Sequence, residues 1–189
     1  MVAGYINYSS PSFCGGRNMT AEEVFTKISA HMIVGVMIHK ELADYFGFLS
    51  LAKYEKIHSK QYISESKELR NLSKYYITRF YKIIPESKVE IPNVIPRDMY
   101  KHKSDDLSPM DIRQATKYTL ELWVDWETKT KKLYEESYAD LMSNVDVGSA
   151  LYIGKLIEDV DEELVWARSL LMKNQHTDFD VVKIIEDQD

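Results

Sequence analysis

The chain has 189 residues, a net charge of −6 and a hydrophobic content of 44%. This length fits one domain with a sizeable core, and seven glycines and five prolines are too few for a disordered or turn-rich all-β chain. The acidic balance argues against a nucleic-acid-binding surface, which normally carries excess positive charge. The single cysteine, Cys14, excludes an internal disulfide framework and a cysteine-rich metal site.

Residues 1–19 are predicted to be an N-terminal tail. They lack the basic start and the apolar segment of a signal peptide. No run of the chain approaches the roughly 20 apolar residues that span a bilayer. Together with the single cysteine, these features predict a cytoplasmic protein that does not enter a membrane.

The first two predicted helices form a hairpin. The first begins at Thr20, which with Glu23 has the spacing of a capping box. Apolar residues then recur at intervals of three and four, which predicts one long helix to about Tyr54. After a weak break near residues 56–59 the same spacing returns and predicts a second helix that ends at Pro85.

Residues 85–110 contain four of the five prolines and show no helical period. They are therefore predicted to form a long irregular crossover. Ser108 and Pro109 mark the start of a third helix, because a hydroxyl residue followed by proline is typical of a helix N-terminus. This helix is predicted to reach about Asn144.

A fourth predicted helix follows a short turn and ends near Asn174, and residues 175–189 are predicted to be a tail or a short helix. Residues 20–174 are thus predicted to form an all-α four-helix bundle, in which the long crossover joins two antiparallel hairpins. No internal repeat of about 20 to 50 residues is visible, so a helical solenoid is less favoured.

Each predicted helix carries a glutamate inside its apolar arc, where an unpaired charge is costly to bury. These four residues are Glu41, Glu68, Glu127 and Glu163. Four inward carboxylates repel one another unless cations or protons neutralise them, so the pattern predicts a metal site or raised pKa values. The alternative is that each glutamate lies at the edge of the core and pairs with a lysine or an arginine.

Three neighbours of these acids bear on the site. Glu65 precedes Glu68 by one turn of the second helix. His39 borders the apolar arc of the first helix and is expected to approach an upper metal position. An error of one residue in helical phase would exchange Glu163 for Glu162.

Short segments around the acids resemble the ferritin-like superfamily. Residues 41–52, a glutamate followed by an aromatic-rich stretch, look like the first helix of that family, and residues 66–71 and 161–166 are similar to its second and fourth helices. The resemblance covers about residues 20–173. It implies a ferritin-like bundle that binds iron or manganese through the four glutamates and has an oxidase or ferroxidase type of activity.

The sequence departs from the family pattern on two helices. A complete di-iron site of that family has Glu-x-x-His on the second and fourth helices, but here Asn71 follows Glu68 by three residues and Trp166 follows Glu163 by three. Imidazole contributes to the affinity for iron. The missing histidines therefore make a degenerate site the alternative within the same family.

Two further histidines have structural interpretations. The Glu-x-x-His formed by Glu55 and His58 falls at the predicted junction of the first two helices, and we interpret it as a surface segment. His31 lies at the centre of the apolar face of the first helix. A lone histidine there is interpreted as a hydrogen-bonded packing residue.

Two other functions stay open. One is a non-enzymatic helical protein that oligomerises or binds a partner through exposed aromatic residues, predicted to be Tyr54, Tyr138, Tyr152 and Trp166. The other, less favoured, is an all-α magnesium-dependent nucleotide pyrophosphohydrolase, because the acid pairs Glu65–Glu68 and Glu158–Asp161 resemble the magnesium ligands of that family. The expected partners are divalent metal ions and further copies of the chain, with no nucleic acid and no membrane.

Overall fold

The structure is a computed structural model that describes residues 19–90, 93–100 and 107–186, so most of the predicted N-terminal tail lies outside the described residues. All regular structure within these ranges is helical, which confirms the all-α class. The four long helices are α1 (Ala21–Phe48), α2 (Ala52–Phe80), α3 (Pro109–Ser143) and α4 (Val147–His176). A 3-10 turn at Arg97–Met99 lies in the crossover, and a short helix α5 follows at Val181–Glu186.

Two capping boxes start helices at the predicted positions. The Thr20 hydroxyl accepts a hydrogen bond from the Glu23 amide, and the Glu23 carboxylate accepts one from the Thr20 amide. Ser108 and Asp111 form the same reciprocal pair at the start of α3. Each box satisfies amide groups that the first turn of a helix leaves unpaired.

The prediction of one helix to Tyr54 is wrong, because α1 ends at Phe48 and the break lies at residues 49–51. Ser50 adopts a left-handed backbone conformation with a φ of 58°. The leucines on both sides of it are buried. These leucines continue the apolar spacing through the turn, so the periodicity hides the break and His58 falls inside α2 rather than at its start.

The ends of α3 and α4 lie close to the predicted ones, whereas α2 ends more than one turn early. α2 ends at Phe80, before the predicted Pro85, because Tyr81 takes a left-handed conformation with a φ of 55°. α3 and α4 end within two residues of the predicted Asn144 and Asn174. Differences of this size are ordinary at helix termini, where the last turn frays.

The long helices pair as two hairpins that pack on each other. α1 runs antiparallel to α2, since Phe25 contacts Tyr76 near one end of the pair and Phe46 contacts Tyr54 at the other. Only residues 144–146 connect α3 to α4, and these two helices pack along their length. α1 also packs against α3, which joins the two hairpins into one helical bundle.

The crossover runs along the bundle from the end of α2 to the start of α3. Val94 and Ile95 in its middle are buried, and their amide groups donate hydrogen bonds to the Glu41 carboxylate near the end of α1. The Tyr118 hydroxyl, near the start of α3, donates to the Val94 carbonyl. The start of α3 therefore lies beside the end of α1, and α2 and α3 run in the same direction.

The buried apolar side chains form two clusters. One includes Trp126 of α3 and the other includes Leu133, two turns further along the same helix. Between these levels α3 carries two buried polar residues, Glu127 and Thr130. No helix of the described ranges is both long enough and apolar enough to cross a membrane.

Candidate metal centre

A histidine and two glutamates meet in the polar layer between the two apolar clusters. His39 of α1 is fully buried, Glu127 of α3 is 1% exposed and the side chain of Glu65 of α2 is 14% exposed. The Nε2 atom of His39 lies 3.3 Å from a carboxylate oxygen of Glu127 and 3.4 Å from one of Glu65. Three helices thus place three atoms of the metal-ligating type within 4.8 Å of one another.

A small cavity adjoins this cluster and adds two more carboxylates. Glu68 of α2 and Glu163 of α4 line it together with Glu65 and Glu127. Its volume of about 20 Å³ is that of one or two small occupants such as a water molecule or a metal ion. Four glutamates from three helices therefore border one small space.

Of the four predicted glutamates, the structure brings together Glu68, Glu127 and Glu163, which all line this cavity. The structure also decides which of the two neighbouring glutamates of α4 faces inward. Glu163 faces the cavity, whereas Glu162 is exposed to solvent. These two neighbours differ in environment although they are identical in type.

Glu41, the fourth predicted glutamate, lies elsewhere. Its carboxylate accepts hydrogen bonds from the backbone of the crossover at distances of 3.3 and 3.0 Å. Gly35 of α1 lines the cavity, and His39 follows it by one helical turn on the same face. Glu41 lies two residues beyond His39, so it points about 200° away around the helix and reaches the crossover instead.

Sequence reasoning also missed His58, and its interpretation as a surface residue is wrong. The side chain is fully buried, and its Nδ1 atom lies 3.0 Å from Nδ1 of His39. The ring stacks on Phe46 and meets Trp123 edge to face. The spacing of four residues from the buried Tyr54 signals this face once the start of α2 is known.

His31 is hydrogen-bonded and buried, as predicted. Its Nε2 atom lies 2.7 Å from the hydroxyl of Thr130, and only 8% of the residue is exposed. Burial, with the positive charges of Lys27 and Lys129, lowers the pKa of His31 to about 3. This imidazole is therefore neutral at physiological pH.

The two facing imidazoles have opposite protonation. Burial disfavours the charged form of His39, but the carboxylates of Glu65 and Glu127 outweigh it and raise its pKa to about 10. Burial and the charge of His39 hold the pKa of His58 well below its usual range. We therefore assign the Nδ1–H group of His39 as the donor and Nδ1 of the neutral His58 as the acceptor, which leaves Nε2 of His39 toward the carboxylates.

The acids around the cavity hold protons unusually strongly. Burial raises the pKa of Glu163 to about 8, and the neighbouring carboxylates add to the shift. Burial, followed by the charges of Asp159 and Glu65, raises the pKa of Glu68 to about 7. The pKa of Glu65 is also raised, chiefly by burial, although His39 opposes the shift. A divalent cation in this space would displace those protons.

Two local features hold the carboxylates in position. The indole N–H group of Trp123 donates a hydrogen bond of 3.0 Å to an oxygen of Glu127. Glu65 lies against the backbone of α1 at Gly35, where a Cβ atom would come within 2.9 Å of its Oε2 atom. That oxygen is buried and has no hydrogen-bond partner in the part of the chain that the structure describes.

The residues of this layer fit a divalent metal. An imidazole nitrogen with carboxylate oxygens is a donor set that suits iron and manganese. Glu65 keeps one buried oxygen without a partner, and the second nitrogen of His39 is held by His58, as is typical of histidines that bind metal. The donor set and its hydrogen-bond support are therefore compatible with a divalent cation.

The acids that resemble pyrophosphohydrolase ligands do not converge. Glu65 and Glu68 line the cavity, but Glu158 is exposed on α4. Asp161 forms an ion pair with Lys131 of α3. Two of the four acids therefore point away from the other two.

The aromatic residues predicted to form a contact surface differ in exposure. Tyr54 is 1% exposed, so its prediction as a surface residue is wrong. Tyr152 is half-buried and stacks on Tyr75 of α2. Trp166 is 41% exposed and packs edge to face on Trp123. The set therefore includes core residues as well as surface residues.

A scan against protein-family models gives no match to this sequence, and no curated protein matches it. The resemblance to the ferritin-like superfamily consequently rests on short segments of sequence.

Proposed function

We propose that this chain is a ferritin-like metal-carboxylate protein that binds one or two divalent iron or manganese ions in the polar layer of its bundle. The observation that carries the proposal is the convergence of His39, Glu65 and Glu127 from three helices, with ligand atoms within 4.8 Å of one another. A buried cluster of this kind needs protons or a cation to offset the repulsion of its carboxylates.

The candidate ligands would serve one metal position or two. His39, Glu65 and Glu127 would hold the first ion, and Glu68 and Glu163 extend the set toward a second. When bound, iron or manganese supplies Lewis-acid chemistry and, with a change of oxidation state, oxidation chemistry. The protein's own contribution is to exclude bulk water and to fix the ligands through their second hydrogen-bond partners.

The direction of the helices supports the ferritin-like part of the proposal. A bundle of two hairpins with one long crossover is the ferritin-like variant of the four-helix architecture. The histidine that the family pattern places at Asn71 is absent, but α1 supplies an imidazole at His39. The candidate site thus still combines an imidazole with carboxylates, although the imidazole comes from a different helix.

The test is metal content after anaerobic incubation with iron(II) or manganese(II), desalting and mass spectrometry. Glu163→Gln and Glu162→Gln form a matched pair, because the two residues are neighbours and only Glu163 faces the cavity. We expect wild type and Glu162→Gln to retain metal equally, and Glu163→Gln and His39→Gln to bind it at least about tenfold more weakly. Retention of no metal by the wild type, or equal retention by all four proteins, would contradict the proposal.

A further inference from the structure

A second and larger cavity lies behind one wall of the candidate metal centre. It is a groove of about 750 Å³ between α1, α3 and the first residues of the crossover. Small-molecule sites in proteins typically have volumes of about 300–1,000 Å³. The groove is therefore large enough for an organic ligand, which the cavity at the glutamates is not.

Two aromatic rings form the wall between the groove and the metal centre. His31 and Trp126 line both cavities. Their rings are stacked with centroids 4.2 Å apart and planes inclined by 7°. The wall is thus one layer of side chains thick, and a ligand in the groove would touch the same rings that border the carboxylates.

The groove carries positive charge that no carboxylate neutralises. Its acids already have partners, namely Glu22 with Lys82, Glu23 with Thr20 and Glu136 with Lys132. Lys27 is half-buried and has no carboxylate partner in the described ranges. Lys129 lies on the opposite side of the groove, and His31 between them is neutral. Lys88 also lines the groove, is exposed and has no carboxylate partner in the same ranges, so an incoming anion would meet two unpaired ammonium groups, of which only Lys27 is half-buried.

The remaining lining of the groove is largely apolar. Trp126 and Leu133 of α3 are 6% and 8% exposed, and Ala30 of α1 faces them. Met19 and Pro85 also line the groove. Apolar surface beside unpaired ammonium groups matches a ligand with an anionic head and an apolar body.

We propose that the groove binds an organic carboxylate with an apolar body, and that its binding is coupled to the neighbouring metal centre through the stacked rings of His31 and Trp126. Its acid group pairs with Lys27, and its body packs on Trp126 and Leu133. This coupling rests on the proposed function, whereas binding to the groove does not.

The test of binding is calorimetric titration of the metal-free full chain with decanoate, and with decanol as the neutral analogue. We expect Lys27→Gln to weaken decanoate binding about tenfold and to leave decanol binding unchanged, because only the charged hydrogen bond is lost. Ala30→Trp should abolish binding of both probes by filling the groove. Lys117→Gln is the control, since this exposed lysine of α3 does not line the groove.

Three results would overturn the assignment of the groove. The first is the absence of saturable binding by the wild type, and the second is equal affinity for decanoate and decanol. The third is tighter binding of decyl phosphate than of decanoate, which would replace the carboxylate class by a phosphate. Circular dichroism of each variant shows that it has folded.

The link to the metal centre is tested by titrating manganese(II) with and without saturating decanoate. A bound anion next to the centre should raise the manganese affinity about fivefold or more, and manganese should raise the decanoate affinity by the same factor. Unchanged manganese affinity would overturn the coupling. If no manganese binds at all, the proposed function fails, while binding to the groove is still decided by calorimetry.

Discussion

A histidine between two buried carboxylates serves as a cation when no metal is present. His39 keeps its proton at neutral pH because Glu65 and Glu127 raise its pKa to about 10. The same Nε2 atom is the one that a metal would take, and His58 holds the other nitrogen in either state. Proton and metal therefore compete for one position, and binding of the metal must release the proton.

A substitution at Gly35 tests whether metal binding requires the close approach of Glu65 to α1. In Gly35→Ala the new Cβ atom would lie 2.9 Å from Oε2 of Glu65, so the carboxylate must move. We expect manganese affinity to fall by up to about tenfold. The free energy of unfolding should stay within about 1 kcal/mol of wild type, because alanine favours the helix by about that amount over glycine.

The matched control for this change is Gly154→Ala in α4. There the added Cβ atom meets only the ring of Tyr138, at an ordinary distance of 3.6 Å. Manganese affinity measured by calorimetry should equal that of wild type. Equal affinities of both glycine variants would show that the position of Glu65 does not determine binding.

At the scale of elements, a carboxylate of α1 binds the middle of the crossover. Glu41 accepts hydrogen bonds from two adjacent amides, of Val94 and Ile95, whose side chains are buried. Those amides have no strand or helix to pair with, so an acceptor from α1 satisfies them. This contact holds the long connection along the bundle and explains why an acidic residue lies on an otherwise apolar arc.

We predict that Glu41→Gln lowers the free energy of unfolding by about 1–3 kcal/mol, because it removes the charge from two hydrogen bonds that are partly buried. Metal content should not change, since Glu41 lies outside the cavity. Denaturant unfolding and metal analysis measure the two quantities. Asp44→Asn is the control, as its exposed pair with Lys40 contributes at most about 1 kcal/mol. Loss of metal from Glu41→Gln would return Glu41 to the ligand set.

At the scale of the whole molecule, the polar layer interrupts the core and reduces the stability of the metal-free protein. The buried acids join α2, α3 and α4 at the level where the two apolar clusters meet. Burial raises the pKa values of Glu65, Glu68 and Glu163, so these carboxylates favour the protonated form in the folded state. The stability of the whole bundle therefore depends on pH through a few groups.

We predict that the metal-free protein becomes less stable as the pH rises from about 5 to about 8. The pKa of Glu163 is raised from 4.5 to about 8, so the folded state binds more protons than the unfolded state in this window. The raised pKa of His39 acts in the same direction at higher pH, from 6.5 to about 10. Denaturant unfolding at several pH values measures the slope.

Glu163→Gln should reduce this dependence, because glutamine does not titrate and only the raised pKa values of Glu65 and Glu68 then contribute to it, whereas Glu162→Gln should keep the slope of wild type. Identical slopes for the two variants would contradict the raised pKa of Glu163. Saturating manganese should restore stability at the alkaline end of the range, because it binds the folded state and not the unfolded chain.

Spacing and capping signals within the sequence determined the helical class, the starts of α1 and α3 and the irregular crossover. These features are local, since a capping box spans four residues and helical periodicity spans a few turns. The same reasoning found Glu68, Glu127 and Glu163, because an acid inside an apolar arc is visible from the sequence alone. It failed at Ser50, where buried leucines carry the apolar period through a turn.

Only the tertiary structure decided which polar residues meet. His39, His58 and Glu65 lie on separate turns of two helices, and they meet only in the correct register of α1 against α2. The predicted break between these helices lay too late in the chain, so the register could not be derived from it. Glu41 has the apolar neighbours along α1 that an inward-facing ligand would have. Its carboxylate nevertheless accepts hydrogen bonds from the backbone of the crossover. Register and partner choice are set by contacts distant in sequence, and periodicity within one helix carries no information about them.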